Sequence, residues 1–146
     1  MQRVFLDANV LFSAAYRADA GLARLWKLSG VKLLTSTYAL AEAGANLDDD
    51  EQSQRLDRLA KKMEVVPETA DPVKLPRDCR LPDKDIPILR AAVYGKAAVL
   101  LTGDLRHFGP YLDKTVAGVM IQTPAHFLAE YENIADDESE GGKIGR

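Results

Sequence analysis

"AAVLLTGDLRHFG", Ala97 to Gly109, is the stretch on which the fold turns. The apolar run Ala97 to Leu101 leads into Thr102, Gly103 and Asp104, and then into a short amphipathic segment. Unbroken hydrophobicity of this length marks a strand buried on both faces, and Gly103 marks a tight turn into a helix. Strands buried on both faces belong to parallel sheets covered by helices. Ligands of such open sheets gather at the carboxyl ends of the strands, where Asp104 falls. Asp104 equally suits the N-cap of the next helix, so a site requires other carboxylates at the same edge.

The N-terminal stretch "RVFLDANVLFSAAY" repeats the arrangement. Arg3 to Leu6 forms a short apolar strand, Asp7 follows, and Asn9 precedes a helix rich in apolar residues. Asp7 or Asn9 could be no more than a cap. Two strand-Asp-helix junctions in one small domain nevertheless put two acids at one sheet edge.

Immediately before the first stretch, "LPDKDIPILRAAVYGKA" is a helix with Asp83 at its N-cap, Asp85 and Pro87 in its first turn and Gly95 at its end. Ile86, Leu89, Ala92 and Val93 make its buried stripe. Macrodipole stabilisation alone would also put two acids there. "VKLLTSTYALAEAGANL" gives a strand, Val31 to Thr35, and a helix from Ser36 or Thr37. Glu42 is the only charged residue between Lys32 and Asp48, and the small residues around it let the helix approach the sheet. A solvated Glu42 and a Glu42 turned toward a shared site fit the periodicity equally.

The remaining segments complete an alternating pattern. A helix from about Ala20 to Leu28 ends at Gly30, with Trp26 in the core or on a partner surface. "DDDEQSQRLDRLAKK" is a charged turn and an amphipathic helix, and "MEVVPE" is a short strand. Thr69 to Pro82 is a loop made locally basic by Lys74, Arg77 and Arg80. Val116 to Ile121 is a further strand, and Thr123 and Pro124 start a final helix. The acidic, glycine-containing tail from Glu132 onward has little to bury and is expected to be disordered, leaving residues 1–131 as the domain and 132–146 as the tail. Strand and helix alternating throughout predict an α/β fold, a three-layer α/β/α sandwich with a central parallel sheet and right-handed crossovers.

Composition sets outer limits. At 146 residues and 47% hydrophobic, the chain suits one domain with one core and contains no stretch long enough to span a bilayer. A strand directly after Met1 leaves no leader, so a cytoplasmic protein is expected. Cys79 is the single cysteine, which excludes an internal disulfide and a cysteine-based metal cluster; a passive loop thiol is the expectation. A net charge of -3 gives no bulk attraction for nucleic acid, although a local basic rim would still meet phosphates. Phosphate-loop, dinucleotide and zinc-protease motifs are absent.

The acids can now be read together. Asp7 and Asp104 fall at the carboxyl edge, with Glu42 and Asp85 delivered from helices beside it. Clustered carboxylates raise the cost of ionising one another, and a divalent cation removes that cost. Oxygen-only ligands select a hard ion such as Mg²⁺ or Mn²⁺, whose natural use here is phosphodiester hydrolysis. An aspartyl-nucleophile phosphatase fits poorly, because "DAN" lacks a second acid two residues on.

"VFLDANVLFSA", "LPDKDIPILRAA" and "LLTGDLRHFG" resemble the acidic motifs of PIN-domain nucleases, in that family's order, over roughly Arg3 to Tyr131. The resemblance implies a PIN-like fold and a metal-dependent endoribonuclease, of the VapC type found as the toxin of a type II toxin-antitoxin pair. Carried over residue by residue, it makes Asp7, Glu42, Asp85 and Asp104 the catalytic metal ligands, for Mg²⁺ with Mn²⁺ as substitute. Asp83, two positions early, is left as a cap or an outer acid. Asn9, Thr102, Arg106 and His107 are candidates for substrate contact; Thr102 could also hydrogen-bond a metal-bound water or an adjacent carboxylate and Asn9 could steady Asp7, and each has a structural alternative: a helix cap, a structural hydroxyl, a surface charge, a helix-end histidine. Arg77, Arg80 and Lys84 are further candidate phosphate contacts. The implied partners are RNA, a possible antitoxin protein and a second copy of the chain in a homodimer, with no membrane. The competing expectation is a catalytically idle PIN-like module that binds nucleic acid or protein.

Overall fold

The computed structural model describes residues 1–67 and 74–132. Six strands form one sheet in the order β3-β2-β1-β4-β6-β5. In chain order the elements are β1 (Gln2–Leu6), α1 (Ala8–Tyr16), a 3₁₀ helix (Gly21–Lys27), β2 (Val31–Ser36), α2 (Thr37–Ala45) and α3 (Asp50–Ala60). They continue with β3 (Glu64–Val66), α4 (Ile86–Tyr94), β4 (Val99–Leu101), α5 (Leu105–Phe108), a short 3₁₀ turn (Gly109–Tyr111), β5 (Thr115–Val116), β6 (Val119–Gln122) and α6, residues 124–132. None of the described helices is long and apolar enough to cross a membrane.

The unalternating runs are buried on both faces as expected. Val4, Phe5 and Leu6 of β1 and Leu100 and Leu101 of β4 are all fully buried, so consecutive side chains, which point to opposite faces, both meet helices. The β1, β2, β3, β4 and β6 pairings are all parallel. From β1 the chain winds outward through β2 to β3, then crosses back to lay β4 on the other side of β1. The order therefore reverses between β1 and β4, and the crevice beyond their carboxyl ends is where an open α/β sheet binds ligands.

Several sequence expectations are corrected. The strand expected over Val116 to Ile121 is a hairpin: Ala117 (φ 50°) and Gly118 (φ 86°) make a two-residue turn, and β5 pairs antiparallel with β6. Positive φ at both central residues is the turn whose twist matches paired strands, and Gly118 adopts it freely. The sheet is thus parallel with one antiparallel edge. The helix expected from Ala20 to Leu28 is 3₁₀, Gly21–Lys27. Leu22, Leu25 and Leu28 recur every three residues, the 3₁₀ period, and Leu25 is buried while Leu22, Leu28 and Trp26 pack on the core. Trp26 also donates its Nε1 hydrogen to Leu59 O at 3.1 Å.

The helix expected to start at Asp83 starts at Ile86, with Asp85 in the N-cap position. Backbone closes the preceding turn, since Pro82 O accepts from Asp85 N (2.9 Å) and Ile86 N (3.3 Å), and Asp83 stays exposed. Ile88 joins Leu89 and Ala92 in the buried stripe, whereas Ile86 and Val93 are half-buried. Glu132, assigned above to the tail, is helical and pairs with Arg24 at 3.0 Å. The rest of the tail, 133–146, residue 68 and residues 69–73 of the basic loop lie outside the described residues.

Candidate metal centre

Asp7 follows the last residue of β1 and caps α1, its Oδ1 accepting from Ala8 N at 2.6 Å. Its other oxygen, Oδ2, accepts the Thr102 hydroxyl at 2.8 Å and Asn9 Nδ2 at 3.3 Å. Capping and a role at the sheet edge, alternatives in the sequence, coincide in one carboxylate. Burial pushes the Asp7 carboxyl up to about 6 against the opposing hydrogen bonds of Thr102 and Ala8, with Asp85 and Glu42 adding repulsion.

Thr102, directly after β4, is fully buried. Its Oγ1 donates to Asp7 and accepts from Asp104 N at 3.0 Å, so one hydroxyl fixes both acids of the central strands. Asn9 completes the link: its Oδ1 accepts from Gly103 N at 2.8 Å while its Nδ2 reaches Asp7. These contacts make Thr102 and Asn9 positioning residues. Thr102 itself is fully buried, whereas Asn9 lines the acidic cavity.

Asp104 caps the one-turn helix α5, Oδ1 accepting from His107 N at 3.1 Å. Its Oδ2 is hydrogen-bonded to His107 Nδ1 at 2.9 Å, and the same nitrogen lies 2.9 Å from Asp85 Oδ2. A single ring proton serves one acceptor at a time. Asp85 Oδ2 accordingly is buried with no hydrogen-bond partner among the described residues. The Asp85 carboxyl is pushed above its usual range by burial and by the Asp104 charge, with His107 and Lys84 pulling the other way. Glu42 sits half-buried on α2, and Ser36 caps that helix by accepting from Ala39 N at 3.1 Å. The turn that carries Asp85 is tied to α2 by Tyr38, whose hydroxyl donates to Lys84 O at 2.9 Å.

All four sequence-predicted acids line one cavity of 480 Å³: Asp7, Glu42, Asp85 and Asp104, with Asn9, Lys84, Ala8, Phe12 and Asn46. His107 stands against it between Asp85 and Asp104, and these three residues could together hold a metal ion. His107 Nδ1 lies 2.9 Å from a carboxylate oxygen of each acid. Arg106, Arg77 and Arg80 are exposed and do not line the cavity, nor does Asp83. Helical periodicity puts Asn46, the exposed C-cap residue of α2, on the Glu42 side, as found, but it does not single out half-buried Phe12 on α1.

The donor set fits a hard cation. Asp85, Asp104 and His107 each offer a ligand atom, all within 4.8 Å of one another, while Asp7 and Glu42 line the same cavity. Carboxylate and imidazole donors of this kind are ones that divalent cations accept.

Comparison with known proteins gives two findings. The family model for the PIN domain matches residues 3–106. A chain of the crystal structure of VapBC2 from Rickettsia felis, bound to a DNA fragment from their promoter, superposes with a TM-score of 0.60 at 16% identity, covering 84% of this chain and 98% of that one. At that identity the likeness is one of fold. No curated protein sequence matches the chain.

Proposed function

The chain belongs to the PIN-domain family, and from that membership we propose that it is a Mg²⁺-dependent endoribonuclease, the toxin of a type II toxin-antitoxin pair. One observation carries the reading: acids from residues 7, 42, 85 and 104 line a single cavity. Asp7, Glu42, Asp85 and Asp104 would hold the ion. When bound, Mg²⁺ supplies Lewis acidity toward a scissile phosphate and lowers the pKa of water.

The chain's own groups set that chemistry up. Thr102 and Asn9 hold Asp7 in one rotamer, and the Thr102 hydroxyl also fixes the backbone that presents Asp104. His107 orients Asp104 through its ring and backbone nitrogens. Supporting hydrogen bonds of this kind are commonly worth 10- to 100-fold in metal affinity. Lys84 is the cation at the cavity for a phosphate oxygen.

Two further points extend the proposal. The R. felis structure is of VapBC2 with promoter DNA, which supports an antitoxin as partner here, and the family supports a homodimer acting in the cytoplasm. The test is cleavage of RNA in Mg²⁺ by the wild type and by Asp7→Asn and Asp104→Asn. Either substitution is expected to reduce the rate at least a hundredfold while the fold persists. Retained cleavage in a pure Asp7→Asn preparation removes the reading, and absence of Mn²⁺ binding by calorimetry would leave an idle binding module instead.

A further inference from the structure

Asp85 reaches the cavity from the N-cap position of α4, yet its side chain makes no cap hydrogen bond. Its aim is set by the backbone that carries it. The peptide group joining Lys84 to Asp85 is held at both of its polar atoms: Asp85 N donates to Pro82 O at 2.9 Å, and Lys84 O accepts the Tyr38 hydroxyl at 2.9 Å. The peptide is trans, so its N–H and C=O share one plane and point opposite ways. A plane held on both sides cannot swing about the chain, and the Cα atoms of Lys84 and Asp85 are fixed at its two ends.

The two restraints differ in origin. Pro82 O lies within the turn itself, whereas Tyr38 belongs to the first turn of α2, 46 residues away in sequence. Tyr38 is half-buried, packs against the core and stands one helical turn before Glu42. Residues four apart share one face of a helix. The Tyr38 hydroxyl therefore ties Lys84 and Asp85 to the helix that delivers Glu42, and all three of those residues line the cavity.

We propose that Tyr38 is a positioning residue of the metal centre: through the Lys84–Asp85 peptide its hydroxyl sets where the Asp85 carboxylate stands relative to that of Glu42, and so the affinity for a divalent ion. The proposal rests on the metal-dependent reading of the cavity and adds to it a residue that does not line the cavity. Loss of one such hydrogen bond is worth roughly 2- to 12-fold in affinity.

The test compares the full-length wild type with Tyr38→Phe, which keeps the ring and its packing and removes only the hydroxyl. Calorimetric titration with Mn²⁺ should show affinity lowered by that factor, and RNA cleavage by the variant should return to the wild-type rate as Mn²⁺ is raised. In chelator, amide hydrogen exchange at Asp85 should speed by a similar factor while the amides of β1 and β4 keep their wild-type rates. Unchanged Mn²⁺ affinity overturns the assignment, as does weaker affinity with unaltered exchange at Asp85, or exchange that speeds equally in β1 and β4. Weaker Mn²⁺ binding by Tyr38→Phe, in a protein whose wild type cleaves no RNA, sinks the nuclease reading and leaves Tyr38 its role. Cleavage by the wild type with equal Mn²⁺ affinity in the variant does the reverse, and a wild type that binds no Mn²⁺ removes both.

Discussion

Asp7 concentrates the energetics of the centre in one side chain. Its carboxyl titrates near 6 in the fold against 3.8 for the free group, because burial and the neighbouring acids oppose its charge more than Thr102 and Ala8 support it. A raised folded value means that protons favour the native state. Its contribution to stability is complete below about pH 4 and is lost as pH rises through 6, a swing of about 3 kcal/mol. Chemical denaturation in chelator should show this fall between pH 4 and 7, and Asp7→Asn should flatten it. A metal-free stability that instead rises over that window through Asp7 would contradict the assigned environment. The same residue shows what sequence conveys at this scale: Asp after a strand and before a helix is legible, as are Asn9 as its support and Thr102 as the hydroxyl of some nearby carboxylate, but that Thr102, at a sequence separation of 95, meets Asp7 is not.

Elements place such residues by their ends, and the ends depend on local chemistry. Asp49 and Gln52 form a reciprocal capping box at α3, and Ser36 caps α2, so the helix that carries Glu42 begins where its sequence says. The start of α4 differs from the expected one because Pro82 O satisfies the donors that Asp83 was expected to cap. That shift brings Asp85 to the helix N-terminus with its side chain uncommitted to a cap. The other end of α4 is set by close approach: a Cβ at Gly95 would lie 2.9 Å from Val66 Cγ2 and 3.1 Å from Leu34 Cδ2. Gly95→Ala should therefore lower stability by about 1–3 kcal/mol. Thermal or denaturant unfolding measures it, and metal affinity should hold, since the crowding lies at the far end of the helix from Asp85.

Across the whole molecule, the acidic centre joins segments that only the sheet topology brings together. Winding outward through β2 and β3 and returning to β4 puts the crevice between β1 and β4, where Asp7 and Asp104 meet, while α2 and α4 deliver Glu42 and Asp85. An ion bound by acids from residues 7 to 104 exists only in the native state. At a hundred times its dissociation constant Mg²⁺ should stabilise the wild type by about 2.7 kcal/mol. Asp104→Asn should lose most of that gain in a thermal shift series; an equal gain in the variant would place the ion elsewhere. Local sequence determined what local physics governs: the buried strands by their unbroken apolar runs, most helices by their caps and periodicity, and the sheet-edge positions of Asp7 and Asp104 by their strand-to-helix junctions, whereas Glu42 and Asp85 are picked out by the family resemblance. The tertiary structure alone decided which hydroxyl steadies Asp7, that His107 Nδ1 stands 2.9 Å from both Asp85 and Asp104, and that Phe12 walls the cavity. Those contacts depend on separations in space between residues far apart in the chain, and periodicity along a helix or strand carries no record of them.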